Sequence, residues 1–173
     1  GFISTAFHYS VDFAQELRMK YPWLLCLLPV GGLIIVFMYR VCGVKDDRGA
    51  NAVLEATING EPVKKRVAPL IFIGTVLTHL FGGSAGREGA ALQLGGSIAG
   101  LFSGVFHIKP GDGRVLTICG MSAAFSALFG TPVTAAVFAV GVASAGAVQY
   151  AALFPSVISA FVGYFVSSSL GVP

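Results

Sequence analysis

Arg87 and Glu88 are the residues of this sequence whose types and position could do chemistry in an apolar setting. They are adjacent in the segment 82–95 (GGSAGREGAALQLG), where a glycine-rich turn separates two apolar runs. Ionisable side chains at membrane depth cost about 2.5–3.5 kcal/mol each on insertion scales, so they usually mark an ion or proton pathway. Irregular backbone at that depth is tolerated where it is buried or lines a cavity. The segment therefore indicates a site for ions or protons.

A helix that begins near Glu88 would direct its unpaired N–H groups and the positive end of its dipole at the glycine turn. Such a helix start binds an anion without a full positive charge. A carboxylate at the same place competes with the anion, and it loses that attraction when it is protonated. Glu88 is therefore a candidate gate and proton carrier, with Arg87 as its structural or electrostatic partner.

The residues alone leave a second interpretation of this pair open. Arg87 and Glu88 could instead form a salt-bridged cap of a helix at the membrane surface. A phosphate site is not indicated, because the turn matches neither G-x-x-x-x-G-K-[ST] nor G-x-G-x-x-G. We therefore do not expect the chain to bind a nucleotide.

The composition places the chain in a bilayer. Of its 173 residues, 55% are hydrophobic and 11% are charged, whereas soluble domains average about 25% charged residues. The formal charge of +3 comes from scattered basic residues, which argues against a nucleic-acid partner. The three cysteines are far apart and form no metal or redox pattern, so we expect buried, inert thiols and no cofactor.

Uncharged runs mark the helices that must position the Arg87–Glu88 pair. Residues 21–39 and 90–106 are free of charge, residues 67–86 carry only His79, and no charged residue follows position 114. A helix needs about 20 apolar residues to cross the hydrocarbon core. The last stretch predicts helices near 115–129, 132–144 and 149–170. The first twenty residues predict a helix that leaves the membrane near Tyr21.

Three stretches of this pattern resemble one family. The segment 86–95 (GREGAALQLG) looks like the G-R-E-G-P-x-x-Q-x-G signature of the CLC chloride channels and anion/proton antiporters. The segment 129–138 (FGTPVTAAVF) is similar to the family's F-N-A-P-L-A-G-x-L-F stretch. Residues 49–55 and the link 62–69 match the short helix and connection that precede the signature helix. The order and spacing agree over nearly the whole chain.

The resemblance implies an all-α integral membrane fold of two inverted repeats with re-entrant half-helices. The chain, residues 1–173, would be a single transmembrane domain that forms only the first repeat of a longer protein. The family's second signature, G-x-F-x-P, and its late pore-lining tyrosine have no counterpart here. The resemblance also implies a homodimer through helices near 132–170, and we expect the plasma (inner) membrane of a prokaryote.

The resemblance assigns roles to individual residues. Glu88 would gate the pathway and couple it to protons. The implied anion-binding residues are Gly86, Arg87, Gly89 and Ala90 at the signature, together with Arg48, Gly49, Ala50 and Asn51 at the family's first anion-site stretch.

Two departures from the family pattern bear on the transported ion. Arg48 falls where the family's G-S-G-I-P stretch has the serine that donates to chloride. A fluoride-selective branch also departs from that serine, so fluoride stands beside chloride as a possible substrate. Gly141 and Val142 occupy the place of the antiporters' internal proton-transfer glutamate, so that proton route is not expected.

Functions from other classes remain to be weighed against anion transport. A non-transporting membrane scaffold subunit would tolerate neutralisation of Glu88. An intramembrane enzyme would need a nucleophile with its base, a carboxylate pair or metal ligands inside the apolar core. Glu88 is the only carboxylate in that core and no such set accompanies it, so the sequence predicts a transporter and not an enzyme.

Overall fold

A computed structural model describes residues 1–44, 53, 55, 66–143 and 150–172. The described ranges are mostly helical. The α-helices are α1 (Phe2–Lys20), α2 (Leu28–Val41), α3 (Val67–Leu80), α4 (Arg87–Val105), α5 (Pro110–Phe129), α6 (Pro132–Val142) and α7 (Tyr150–Ser169), with a 3-10 helix (Pro22–Leu27) before α2.

The helix ends follow the local signals of the sequence. α1 ends at Lys20, as the charged residues near its end predict. α5 begins at Pro110 and not near position 115, because proline is favoured in the first turn and Asp112 suits the positive end of the helix. The sequence predicted a start near 115 because Asp112 and Arg114 lie before the uncharged run. α5 ends at Gly130, whose φ of 67° is the left-handed conformation that glycine adopts without strain.

The first apolar run is not one α-helix, because it divides into the 3-10 helix and α2. Together these cover Pro22–Val41, which has a mean hydropathy of 2.2 and only 6% of its residues buried. Tyr150–Ser169 is the other described helix that is long and apolar enough to cross a membrane. Pro22–Val41 therefore presents nearly all of its apolar side chains outwards. Cys26 is exposed there, so the expectation of a buried thiol is wrong for this residue.

α5 forms the centre of the bundle and packs on α4, α6 and α7. Gly95 of α4 and Gly120 of α5 meet where the two helices cross, and a Cβ on either would collide with the backbone carbonyl of the other. About one turn further along α5, a Cβ on Gly163 of α7 would lie 2.5 Å from the carbonyl oxygen of Ala123. Small residues at these contacts let the helix backbones approach closely, as is usual in membrane bundles.

Side-chain hydroxyls connect α5 and α7 in addition to this packing. Ser122 donates to the carbonyl oxygen of Ser156 at 3.0 Å, and Ser159 donates to that of Cys119 at 2.9 Å. The first bond is buried and the second is partly buried, and each satisfies a polar group between the two helices. The α4–α5–α7 unit therefore offers a rigid support for the start of α4.

α1 is held against α3 and α4 by a separate hydrophobic cluster. Phe7 and Val11 are fully buried among Ile71 and Leu94, and the ring of Phe7 meets that of Phe72 edge-on at 5.5 Å. Successive residues of one helix face recur three or four positions apart. The packing of Phe7 and Val11 therefore also brings the neighbouring side of α1 close to the start of α4.

Candidate functional site

A glycine turn joins α3 to α4 and sets the direction of the second helix. Gly82 has φ +79°, and the N–H of Gly83 donates to the carbonyl oxygen of Thr78 at 2.8 Å. This hydrogen bond satisfies a carbonyl at the end of α3 that would otherwise lack a partner. A Cβ on Gly82 would also press against Leu25 and Arg18. The turn therefore requires glycine here, both for its φ and for its space.

α4 begins without a side-chain cap. Gly86 occupies the N-cap position with extended backbone, so the first N–H groups of the helix have no side-chain acceptor. Glu88 lies in the first turn, and a Cβ built on Gly86 would stand 2.8 Å from its Oε2 atom. The carboxylate is thus folded back over the start of its own helix. Within the described residues, no hydrogen bond or ion pair holds it.

Arg87 pairs with α1. Its Nη2 donates to Oδ1 of Asp12 at 2.8 Å, and Nε2 of His8 lies 3.1 Å from the other carboxylate oxygen of Asp12. All three side chains are partly buried. The ion pair found for Arg87 is therefore with Asp12, whereas the surface-cap interpretation required one with Glu88.

A cleft of about 340 Å³ opens beside the start of α4, between this helix, α2 and α3. It is lined by Ile35, Tyr39, Ile71, Gly74, Thr75, Thr78, Gly86, Gly89, Ala90 and Gln93. Glycines and alanine at the helix start expose backbone to this space, and threonine and glutamine add polar groups.

The polar side chains of the cleft differ in how they are held. Thr78 donates to the carbonyl oxygen of Gly74 at 2.7 Å, so its oxygen keeps acceptor capacity. His79 lies behind the cleft with Nδ1 at 2.8 Å from the carbonyl oxygen of Thr75, as expected of a packed histidine. Gln93 is 6% exposed and lines the cleft. The cleft can therefore offer backbone N–H groups and the amide of Gln93 as donors to an anion.

The structure brings together part of the predicted anion-binding set. Gly86, Gly89 and Ala90 line the cleft, while Arg87 points towards α1. Four other predicted residues, Arg48, Gly49, Ala50 and Asn51, lie outside the described residues.

Asp12, Thr75 and Tyr39 belong to this region but were not predicted from the sequence. Asp12 is an acidic residue inside α1, and its negative charge could have marked it as a possible partner of Arg87. Thr75 lies one turn before His79 on α3, so helical spacing could have indicated it. Tyr39 carries no local signal, because only packing of α2 on α3 brings it to the cleft.

Comparisons with known proteins agree on one family. The family model described as voltage gated chloride channel matches residues 30–172. The chain is 39% identical to a chloride/fluoride channel protein of Pseudomonas syringae pv. tomato, over 99% of this chain and 38% of that protein. It is 26% identical to an H(+)/Cl(-) exchange transporter, ClcA, of Vibrio campbellii, over 81% of this chain and 33% of that protein.

The fold matches a solved structure of the same family. The crystal structure of a CLC-type fluoride/proton antiporter superposes with a TM-score of 0.90 at 34% sequence identity, covering 99% of this chain and 44% of that one. The expected all-α membrane fold of the CLC type is thereby confirmed. The chain spans less than half the length of each of these relatives.

Proposed function

The chain belongs to the voltage-gated chloride channel family, and from that premise we propose that it forms part of a pathway that carries a small anion of the chloride type across a membrane. Glu88 is the gate of this pathway and carries its protons. The observation that carries the proposal is the Glu88 carboxylate folded back over the uncapped start of α4, where the helix opens on the cleft.

The gate works by competition for one helix start. The ionised carboxylate of Glu88 is attracted by the N-terminal end of α4, which is equivalent to roughly half a positive charge. Protonation removes this attraction, the side chain leaves, and the N–H groups of the first turn become available to an anion from the cleft. Gly89, which lines the cleft, allows the anion to approach the backbone because it has no Cβ.

Fluoride is the second candidate anion. The relative and the solved structure whose names include fluoride are 39% and 34% identical to this chain, whereas the H(+)/Cl(-) exchanger is 26% identical. The replacement of the family's serine by Arg48 points the same way. Under either reading the substrate is a small monovalent anion that exposed N–H groups can bind.

The assembly is also a proposal. We propose that residues 1–173 form one transmembrane domain, the first of two repeats, and that the second repeat completes the pathway near the start of α4. The homodimer contact is assigned to α6 and α7, whose exposed apolar residues include Val133, Val137, Phe154 and Ile158. The named relatives are bacterial, which supports residence in a prokaryotic plasma membrane.

Anion efflux from liposomes tests this function. The full-length protein that contains this chain is reconstituted, and release of chloride and of fluoride is compared between wild type and Glu88→Gln at several pH values. We expect wild-type efflux to increase as pH falls, and the variant to lose that dependence. Glu16→Gln is the matched control, because Glu16 is an exposed carboxylate on α1.

The outcomes separate the candidate functions. Faster release of one anion by wild type identifies the substrate. Equal pH dependence in wild type and Glu88→Gln would contradict the gating role. Absence of efflux of either anion from correctly folded protein would contradict transport and favour the scaffold subunit.

A further inference from the structure

We propose that Asp12 is a positioning residue that neutralises Arg87 and thereby keeps Glu88 free to leave the helix start. The proposal rests on the proposed function, because it concerns the pH at which Glu88 releases the pathway. It adds a second element, α1, to the machinery of the gate.

The geometry places Asp12 between two donors. One carboxylate oxygen accepts from Arg87 at 2.8 Å and the other lies 3.1 Å from Nε2 of His8. The side chains of Arg87 and Asp12 are 25% and 40% exposed, and that of His8 is 17% exposed. We call these three residues the Arg87 cluster. Hydrogen bonds between charged groups are roughly twice as strong as those between neutral ones, so the contact to Arg87 is the main constraint.

The partial burial of the cluster gives the ion pair its weight. An α-helix rises about 1.5 Å per residue, so Asp12 lies roughly 12 Å before the end of α1 at Lys20. A carboxylate beside the buried Phe7 and Val11 loses part of its hydration, and an opposite charge within hydrogen-bond reach compensates for that loss. Screening by water and salt is weaker for a partly buried pair than for a surface pair. The placement of Asp12 is therefore explained by Arg87.

The sequence neighbour of Arg87 explains why this pairing matters. Arg87 and Glu88 are the first two residues of α4, so both side chains leave the helix in its first turn. An unpaired guanidinium there would stabilise the ionised carboxylate of Glu88 by attraction of opposite charges. Asp12 cancels that charge. The attraction on Glu88 then comes from the helix start, which an anion can replace.

His8 fixes Asp12 from the other side. Its Nδ1 atom is buried and has no hydrogen-bond partner in the described part of the chain. The contact with Asp12 is therefore made by Nε2, which can donate its hydrogen to the carboxylate. Each carboxylate oxygen of Asp12 thus has one donor, Arg87 on Oδ1 and His8 on Oδ2.

Other charged or titratable side chains stand on the elements that pack against the Arg87 cluster. Besides Glu88, they are Tyr9, Glu16, Arg18, Lys20, Tyr21, Cys26, His79, Asp112, Arg114, Cys119, Tyr150 and Tyr164. Within the described residues, none of them is hydrogen-bonded or ion-paired with Asp12 or Arg87. The charge on Arg87 is therefore balanced by Asp12.

The test is the pH dependence of anion efflux in the full-length protein. In Asp12→Asn the charge of Arg87 is uncompensated, so more acid is needed to release Glu88. We expect the pH of half-maximal efflux to fall, because an opposite charge near a carboxylate favours its ionised form. Asp12→Glu, which keeps the charge, should recover most of the wild-type midpoint.

A double variant protects the test against a loss of folding. Asp12→Asn with Arg87→Gln removes both charges, and we expect its efflux midpoint to return to the wild-type value even where Asp12→Asn alone is inactive. An inactive or equally shifted double variant would overturn the proposal, because it would mean that Asp12 acts by packing alone. Glu16→Gln controls for loss of a carboxylate from α1 and should leave the midpoint unchanged.

Failure of the positioning role and failure of the proposed function give different experimental results. If wild-type efflux is pH-dependent and Asp12→Asn keeps the wild-type midpoint, the positioning role is wrong and the gate stands. If wild-type protein moves no anion, or Glu88→Gln keeps the pH dependence, the proposed function itself is wrong and the positioning role is overturned with it.

Discussion

Glycine serves opposite purposes in two regions of this molecule, the crossing of α4 with α5 and the start of α4. At the crossing, Gly95 and Gly120 lie against each other's backbone, and neither has room for a Cβ. At the start of α4, the nearest atom to a Cβ on Gly86 would be a carboxylate oxygen of Glu88. The first region is packed to exclude movement, and the second leaves space for a side chain to move. α4 is thus held tightly near its middle, where Gly95 crosses α5, and leaves space for side-chain movement at its N-terminus.

The largest expected effect comes from filling the crossing. Gly120→Val would force α4 and α5 apart, and we expect a loss of about 3 kcal/mol or more of stability, the upper range for overpacking. Thermal unfolding and yield of the purified full-length protein measure this. Gly32→Val is the control, because Gly32 lies in α2 with open space around its Cβ position. Equal stability of the two variants would contradict the tight crossing.

The second-largest effect is expected from filling the space at the N-terminus of α4. Gly86→Ala fits the extended backbone at this position but puts a methyl group against Oε2 of Glu88. We expect anion efflux at neutral pH to rise about fivefold, the effect of roughly 1 kcal/mol, because the carboxylate is held less well at the helix start. Thermal stability should change little. A large loss of stability with unchanged efflux would mean that this region is packed like the crossing.

The smallest effect concerns the hydroxyls that join α5 and α7. Ser159→Ala removes the hydrogen bond to the carbonyl oxygen of Cys119, and we expect a loss of about 1 kcal/mol of stability. The pH dependence of efflux should stay as in wild type. Ser168→Ala, at an exposed position near the end of α7, is the matched control. A shifted pH dependence in Ser159→Ala would show that the support and the gate are coupled.

The parts of the fold that local sequence determines were predictable. The glycine turn before Arg87, the helix start at the Arg87–Glu88 pair and the break at Gly130 follow from backbone preferences and from the position of charges. The division of residues 22–41 into a 3-10 helix and α2 was not foreseen, because composition does not distinguish these two helix types.

The candidate site was predictable only in its local half. Glu88 and the glycines beside it stand out in the sequence, whereas Asp12 lies 75 positions from Arg87 and meets it through the packing of Phe7 and Val11 on α3 and α4. Tyr39 reaches the cleft for a similar reason. Contacts between distant residues depend on how helices pack, and one sequence gives little information about that.

Proton movement driven by an anion gradient tests the central claim most directly. Liposomes that contain the full-length protein are loaded with the transported anion and diluted into anion-poor buffer, and the internal pH is followed in wild type and Glu88→Gln. The account predicts that anion efflux drives proton uptake in wild type, and that Glu88→Gln moves no protons while it still folds. Equal proton uptake in the two proteins would contradict the role of Glu88 as gate and proton carrier.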